Sequence, residues 1–150
     1  MTMDRRMFLN GTAAAVALLV VPIPFASAAT TAELDAAIDE ILDGRNAIEG
    51  EITLEVPRVA ENGAQVPLTI SLESPMTEDD HVTAIHILAT QNPAPGIGHF
   101  FLTPRVARAE VFTRIRVAED QEILIFAEHS DGRVIKAAAQ IAVSIGGCAT

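Results

Sequence analysis

From residue 51 onward, apolar side chains in this 150-residue chain recur at every second position. That rhythm belongs to strands with one buried and one solvated face, and it leaves little room for helix. Ile52, Leu54 and Val56 alternate with Glu51, Thr53 and Glu55. Val66, Leu68, Ile70 and Leu72 alternate with Gln65, Thr69, Ser71 and Glu73, and Pro67 marks an edge or a bulge. Ala109, Val111, Ile115 and Val117 alternate with Arg108, Glu110, Arg114 and Arg116. Residues 81–89 and 123–127 are apolar on both faces and read as covered central strands. Residues 99–103 form a short strand. Residues 134–145 form a long last one, with Ile135, Ile141, Val143 and Ile145 on one face. Ser130-Asp131-Gly132 is a turn between two of these strands.

One earlier stretch keeps a different period. In residues 31–44, Leu34, Ile38, Ile41 and Leu42 recur at helical spacing. Thr31 is suited to the N-cap, acids follow in the first turn, and Gly44 is suited to end the helix. One short helix followed by about seven strands predicts an all-β, immunoglobulin-like antiparallel sandwich. No alternation of strands and helices suggests a parallel sheet. The helix then packs on the side of the sandwich or lies against a partner.

Residues 1–28 read as an address rather than a fold. Arg5 and Arg6 precede Phe8-Leu9, a short alanine-rich apolar run follows, and Ala26-Ser27-Ala28 offers a small-x-small cleavage site. The run is too short for a typical membrane-spanning helix. The paired arginines with Phe-Leu in register resemble a twin-arginine leader, which exports folded proteins to the periplasm. The domain is then residues 29–145, with a tail at 146–150. Once cleaved, such a protein has no stable membrane association. The formal charge of the whole chain is −10. That excess of acid argues against nucleic-acid binding and against docking on anionic lipid.

The four histidines, His81, His86, His99 and His129, form no HxH or HExxH pair. They read as scattered surface and edge residues, with no metal site expected. Glu78-Asp79-Asp80 reads as a solvated turn, since calcium-loop spacing is missing. Gly96-Ile97-Gly98 lies among prolines and reads as a loop, not a phosphate cradle. The outward row Arg108, Phe112, Arg114 and Arg116 admits two readings: a partner interface, or ordinary cross-strand pairing with acids.

The C-terminus is different in kind. After Ser144-Ile145 come Gly146, Gly147 and the single cysteine, Cys148, then Ala149-Thr150. One cysteine rules out an internal disulfide and any multi-cysteine metal centre. Two glycines give the backbone freedom, and four residues beyond Ser144 span at most roughly 13 Å. No histidine, lysine or arginine lies near Cys148 in sequence. At a reference pKa near ~8.5, only a few per cent of such a thiol is thiolate at neutral pH. It suits a handle that other enzymes activate, load and unload.

Several segments together resemble the SoxY family, the sulfur-carrier subunit of the bacterial Sox thiosulfate-oxidising system. They include the leader at Arg5-Arg6, Ala60-Glu61-Asn62-Gly63 running on to Val66-Pro67-Leu68, and Ser74-Pro75-Met76-Thr77-Glu78. They continue through Ile85-His86, Asn92-Pro93, Thr103-Pro104-Arg105, Arg108-Ala109-Glu110-Val111, Thr113-Arg114-Ile115-Arg116 and Gly146-Gly147-Cys148. The resemblance implies an immunoglobulin-like sandwich paired with SoxZ, a leaderless subunit exported as a passenger. It implies that Cys148 is conjugated with thiosulfate by the haem protein SoxAX, relieved of sulfate by SoxB, and in many systems served by SoxCD. It implies no cofactor and no independent catalysis; the covalent sulfur cargo rides on the cysteine. One departure stands out: the family tail ends in two glycines where this chain has Ala149 and Thr150. That change favours an alternative, a diverged exported interaction module whose cysteine is not a carrier.

Overall fold

The computed structural model describes residues 31–144. The leader with Arg5 and Arg6, and the tail with Gly146, Gly147 and Cys148, lie outside the described residues. Helix α1 (Thr31–Leu42) comes first, then β1 (Ala47–Glu49), β2 (Thr53–Glu55) and β3 (Val59–Ala60). The longer strands follow: β4 (Val66–Leu72), β5 (Val82–Ala89), β6 (Gly96–Phe101), β7 (Ala109–Ile115), β8 (Gln121–His129) and β9 (Val134–Val143). Two sheets face each other. The larger runs β1-β9-β8-β5-β6 with β3 also on β9, and the smaller runs β2-β4-β7. This is the all-β sandwich the period-2 pattern predicts.

The core fills the space between the sheets. Leu68 and Ile70 of β4 and Val111 and Ile115 of β7 meet Ile85 and Ile87 of β5 and Ile123 and Ile125 of β8. All eight are buried. A second apolar layer lies on the far side of the larger sheet. There Leu34, Ile38, Ile41 and Leu42 of α1 pack on Leu88, Leu124, Phe126 and Val134. This is why β5 and β8 lack alternation: one face meets the other sheet and the opposite face meets the helix.

The helix ends where the sequence lets it. Asp43 and Gly44 both take positive φ, 46° and 75°, a conformation that glycine adopts without penalty. The chain then turns back, and the Arg45 guanidinium donates to the carbonyls of Ile41 and Leu42, at 2.8 Å each. A cation on the last carbonyls also opposes the negative end of the helix dipole. The expected turns form. Thr77 and Asp80 bond each other across the acidic turn, and Gly132 takes φ 87° between β8 and β9.

Three expectations need correction. The sandwich is not wholly antiparallel, because β1 and β3 run parallel to β9. They are three and two residues long, too short to show a period. Gly96-Ile97-Gly98 is not a loop but opens β6, with Gly98 opposite Ile87. A Cβ there would lie 3.2 Å from the Ile87 side chain and 3.3 Å from the Phe100 ring, so close packing explains the glycine. Finally, β8 extends beyond 123–127 at both ends. Pro67 sits in β4, opposite Arg114, beyond the stretch paired with β2. At that point β4 has a neighbour on one side only, which is where a strand tolerates proline.

The layering predicts unequal responses to truncation. Ile125→Ala opens a cavity in the inter-sheet core and should lower unfolding free energy by about 2–5 kcal/mol. Val59→Ala, at a 61% exposed site, should stay within about 0.5 kcal/mol. Urea titrations of the two variants check this.

Candidate functional site

Two of the four histidines come together. His86 of β5 and His99 of β6 are directly opposed partners across the two strands. Both point to the outer face of the larger sheet, beside α1. Their Nδ1 atoms approach to 2.8 Å, and the rings meet edge to face with centroids 5.1 Å apart. His86 Nε2 lies 2.7 Å from Glu128 Oε1, on β8. The other Glu128 oxygen accepts from Arg45 at 2.6 Å. One chain of polar contacts therefore links the end of α1 to β8, β5 and β6.

Charge explains the order of this chain. Burial pushes the Glu128 carboxyl up, but hydrogen bonds and attraction from Arg45 and His86 outweigh it and hold the group below the ordinary value. Glu128 is thus an anion at neutral pH, and His86 Nε2 carries the proton that lies between them. The cluster borders a cleft of about 610 Å³ between α1 and the sheet. Phe101, 80% exposed, stands at its rim, with its ring 6.4 Å from that of His86. Among the described residues, no group of three His, Cys, Asp or Glu is placed to hold a metal ion. His86, His99 and Glu128 are bonded to one another instead.

The other two histidines stay apart from this cluster. His81 precedes β5, and its backbone N–H donates to Ser130 Oγ. His129 ends β8, buried, with neither ring nitrogen hydrogen-bonded among the described residues. Burial and the nearby Arg133 push its pKa down against the opposing pull of Asp131 and Asp80.

The basic row takes the predicted faces. Ala109, Val111, Ile115 and Val117 are buried, while Arg108, Phe112, Arg114 and Arg116 are exposed, Phe112 by 68%. The strand opposite presents Pro67 and Thr69 to Arg114 and Phe112, not acids. None of the three arginines makes an ion pair among the described residues. Cross-strand acids do not account for Arg114, whereas Arg108 shares a cleft with Glu73 and Glu110.

Both Glu128 and His129 make stability fall in acid. The folded His129 resists protonation, so as pH drops below its ordinary value of 6.5 the unfolded chain binds the extra proton and gains on the folded one. Glu128 acts lower. The unfolded carboxyl takes its proton near its ordinary 4.5, and the folded one only further down. Urea unfolding across acidic pH should show both losses. His129→Gln should flatten the upper one. Glu128→Gln should flatten the lower one and cost about 1–3 kcal/mol at neutral pH, because it leaves Arg45 and His86 without their anion.

The chain has two kinds of likeness to known proteins. In solved structures it resembles superoxide reductase (neelaredoxin) from Ignicoccus hospitalis, with a TM-score of 0.55 and 15% identity over 77% of this chain and 99% of that one. It also resembles a hypothetical protein from Pyrococcus horikoshii OT3, with a TM-score of 0.52 and 10% identity over 63% of this chain and 95% of that one. At such identities the likeness shows the fold alone. No curated protein matches the chain in sequence. Residues 38–148 match the family described as sulfur oxidation protein SoxY. That match begins within α1, takes in every strand and ends on the single cysteine: the chain belongs to the SoxY family and has a role in sulfur oxidation.

Proposed function

We propose that this protein is a periplasmic sulfur carrier, holding thiosulfate-derived sulfur on Cys148 and presenting it to the enzymes of the Sox system. The observation that carries the reading is the extent of the family match, which runs through the whole sandwich and stops at Cys148. The physics of the tail supports it. The thiol has no activating base beside it in sequence, so its reactivity is lent by whichever partner encloses it. Gly146 and Gly147 give it reach into a pocket that a globular face cannot enter.

In this reading the thiolate and thiosulfate join as a cysteine S-thiosulfonate. The two electrons released pass to the haem partner, SoxAX. SoxB then adds water across the terminal sulfur–sulfur bond, leaving a cysteine persulfide and hydrogen sulfate. SoxCD, where present, oxidises the remaining sulfane. The carrier needs no cofactor of its own. SoxZ is the stable partner, and the exposed row of Arg108, Phe112, Arg114 and Arg116 is the surface offered for it. The twin-arginine leader with Arg5 and Arg6 fits export after folding and pairing, which a leaderless partner requires.

Intact mass of the protein from thiosulfate-grown cells, before and after reductant, tests the cargo. A reductant-sensitive increment of sulfur or thiosulfonate composition on Cys148 is the expected result. A bare thiol or a plain disulfide dimer would transfer the reading to a diverged interaction module. Cys148→Ser should abolish thiosulfate-dependent turnover while leaving the urea midpoint unchanged. The double change Ala149→Gly and Thr150→Gly removes a β-branched side chain and a methyl beyond the sulfur, and should speed unloading by the hydrolase. Equal rates for both tails would assign Ala149 and Thr150 no part in it.

A further inference from the structure

The cleft between α1 and the larger sheet has no part in carrying sulfur on the tail. Glu128, beside it, pairs with Val134 at the start of β9. Ser144 lies ten residues on, roughly 33 Å along an extended strand. Cys148 reaches at most roughly 13 Å beyond Ser144. The thiol of the same chain falls short of the cleft, yet the cleft has a defined polarity.

That polarity follows from counting protons. Glu128 is an anion and accepts from His86 Nε2. With His86 neutral, its ring carries one N–H, on Nε2, and Nδ1 is an acceptor. The atom facing it at 2.8 Å, His99 Nδ1, must donate. His99 therefore has its proton on Nδ1, and its Nε2 bears only a lone pair. Among the described residues, Nε2 has no hydrogen-bond partner. Gly96 brings no side chain beside it; a Cβ at that position would lie 3.3 Å from Nε2. Glu40, exposed on α1, lines the same cleft and adds a negative charge. Arg45 does not line the cleft; it donates to Glu128 and the helix end. Ile41 and Leu88 supply apolar wall, and Phe101 an aromatic rim.

We propose that this cleft binds an ammonium or guanidinium group carried on an aliphatic stem, the chemistry of a lysine or arginine side chain or of a free alkylamine. The head donates to His99 Nε2 and faces Glu40. The stem lies along Ile41 and Leu88, as long cationic side chains lie on apolar surface. The Phe101 ring offers its face to the charge. An anion of the same size meets a lone pair and two carboxylates. This assignment stands whether or not Cys148 carries sulfur.

Nuclear magnetic resonance on the isotope-labelled full chain near neutral pH tests it. Histidine side-chain spectra should show His86 protonated on Nε2 and His99 on Nδ1. n-Butylammonium should shift His99 Nε2 and the Ile41 and Leu88 methyl signals saturably, and n-butyrate should not. Nα-acetyl-lysine N-methylamide binding more tightly than n-butylammonium assigns the site to a protein side chain; the reverse order assigns it to a free amine. Gly96→Ala, which keeps both histidines but sets a methyl beside Nε2, should weaken binding about tenfold, and so should Glu40→Gln. Saturable butyrate binding, a His99 protonated on Nε2 in the free protein, or amine affinity unchanged by both variants would overturn the proposal.

Discussion

β5 and β8 lie side by side in the middle of the larger sheet, and each carries apolar side chains on both faces. Such a pair needs cover on two sides. The smaller sheet covers one, and α1 is the element placed on the other. Each fully buried leucine or isoleucine contributes about 1.5–3 kcal/mol, so leaving the outer face bare would forgo a large part of a small domain's stability. The amphipathic stripe of α1 is short and has no value alone, since an isolated helix of 12 residues is marginal in water. Its docking is what gives it a reason to form.

The same constraint creates the histidine cluster. The outer face of β5 is buried along its length, so His86 is only 7% exposed. A buried imidazole has to satisfy its nitrogens. Glu128 and His99 do so, and Arg45 holds Glu128 in the ionised form. Helix, sheet and cleft are thus parts of one solution. The docked helix brings Arg45 to Glu128, and Glu128 in turn meets His86, which faces His99.

Elements with a long enough period were legible in the sequence. The stripe Leu34, Ile38, Ile41 and Leu42 gave the helix and its buried face. The alternation at 109–117 gave the exposure of Arg108, Phe112, Arg114 and Arg116 residue by residue. What escaped depends on register. His86 and His99 stand on separate strands, and simple counting from the Leu88–Gly96 pair sets His86 against Gly98. A bulge between Ile87 and Leu88 shifts the pairing by one and brings His99 opposite His86. No local pattern announces that shift. Glu128 and Arg45 were beyond reach for the same reason, since their partners lie 42 and 83 residues away. The one available sign was a histidine at position 86 inside a strand otherwise apolar on both faces, where a polar ring demands a partner.

A carrier that serves several enzymes needs a body that stays clear of its reactive end. β9 runs from beside the cleft toward the opposite end of the sheet, where Gln121 pairs with Ile141, and the cysteine-bearing tail follows it. The two surfaces proposed to hold a partner lie elsewhere: the arginine row on β7, at one edge of the smaller sheet, and the cleft on the outer face of the larger. Their charges are opposite, a cationic strip and an anionic pocket on one acidic domain. A partner that meets both must present acid to the first and base to the second, and that pairing of signs fixes its orientation without involving the tail. Under the proposed carrier reading, separation of docking surface from reactive end would let one small sandwich stay paired while its thiol visits one enzyme after another.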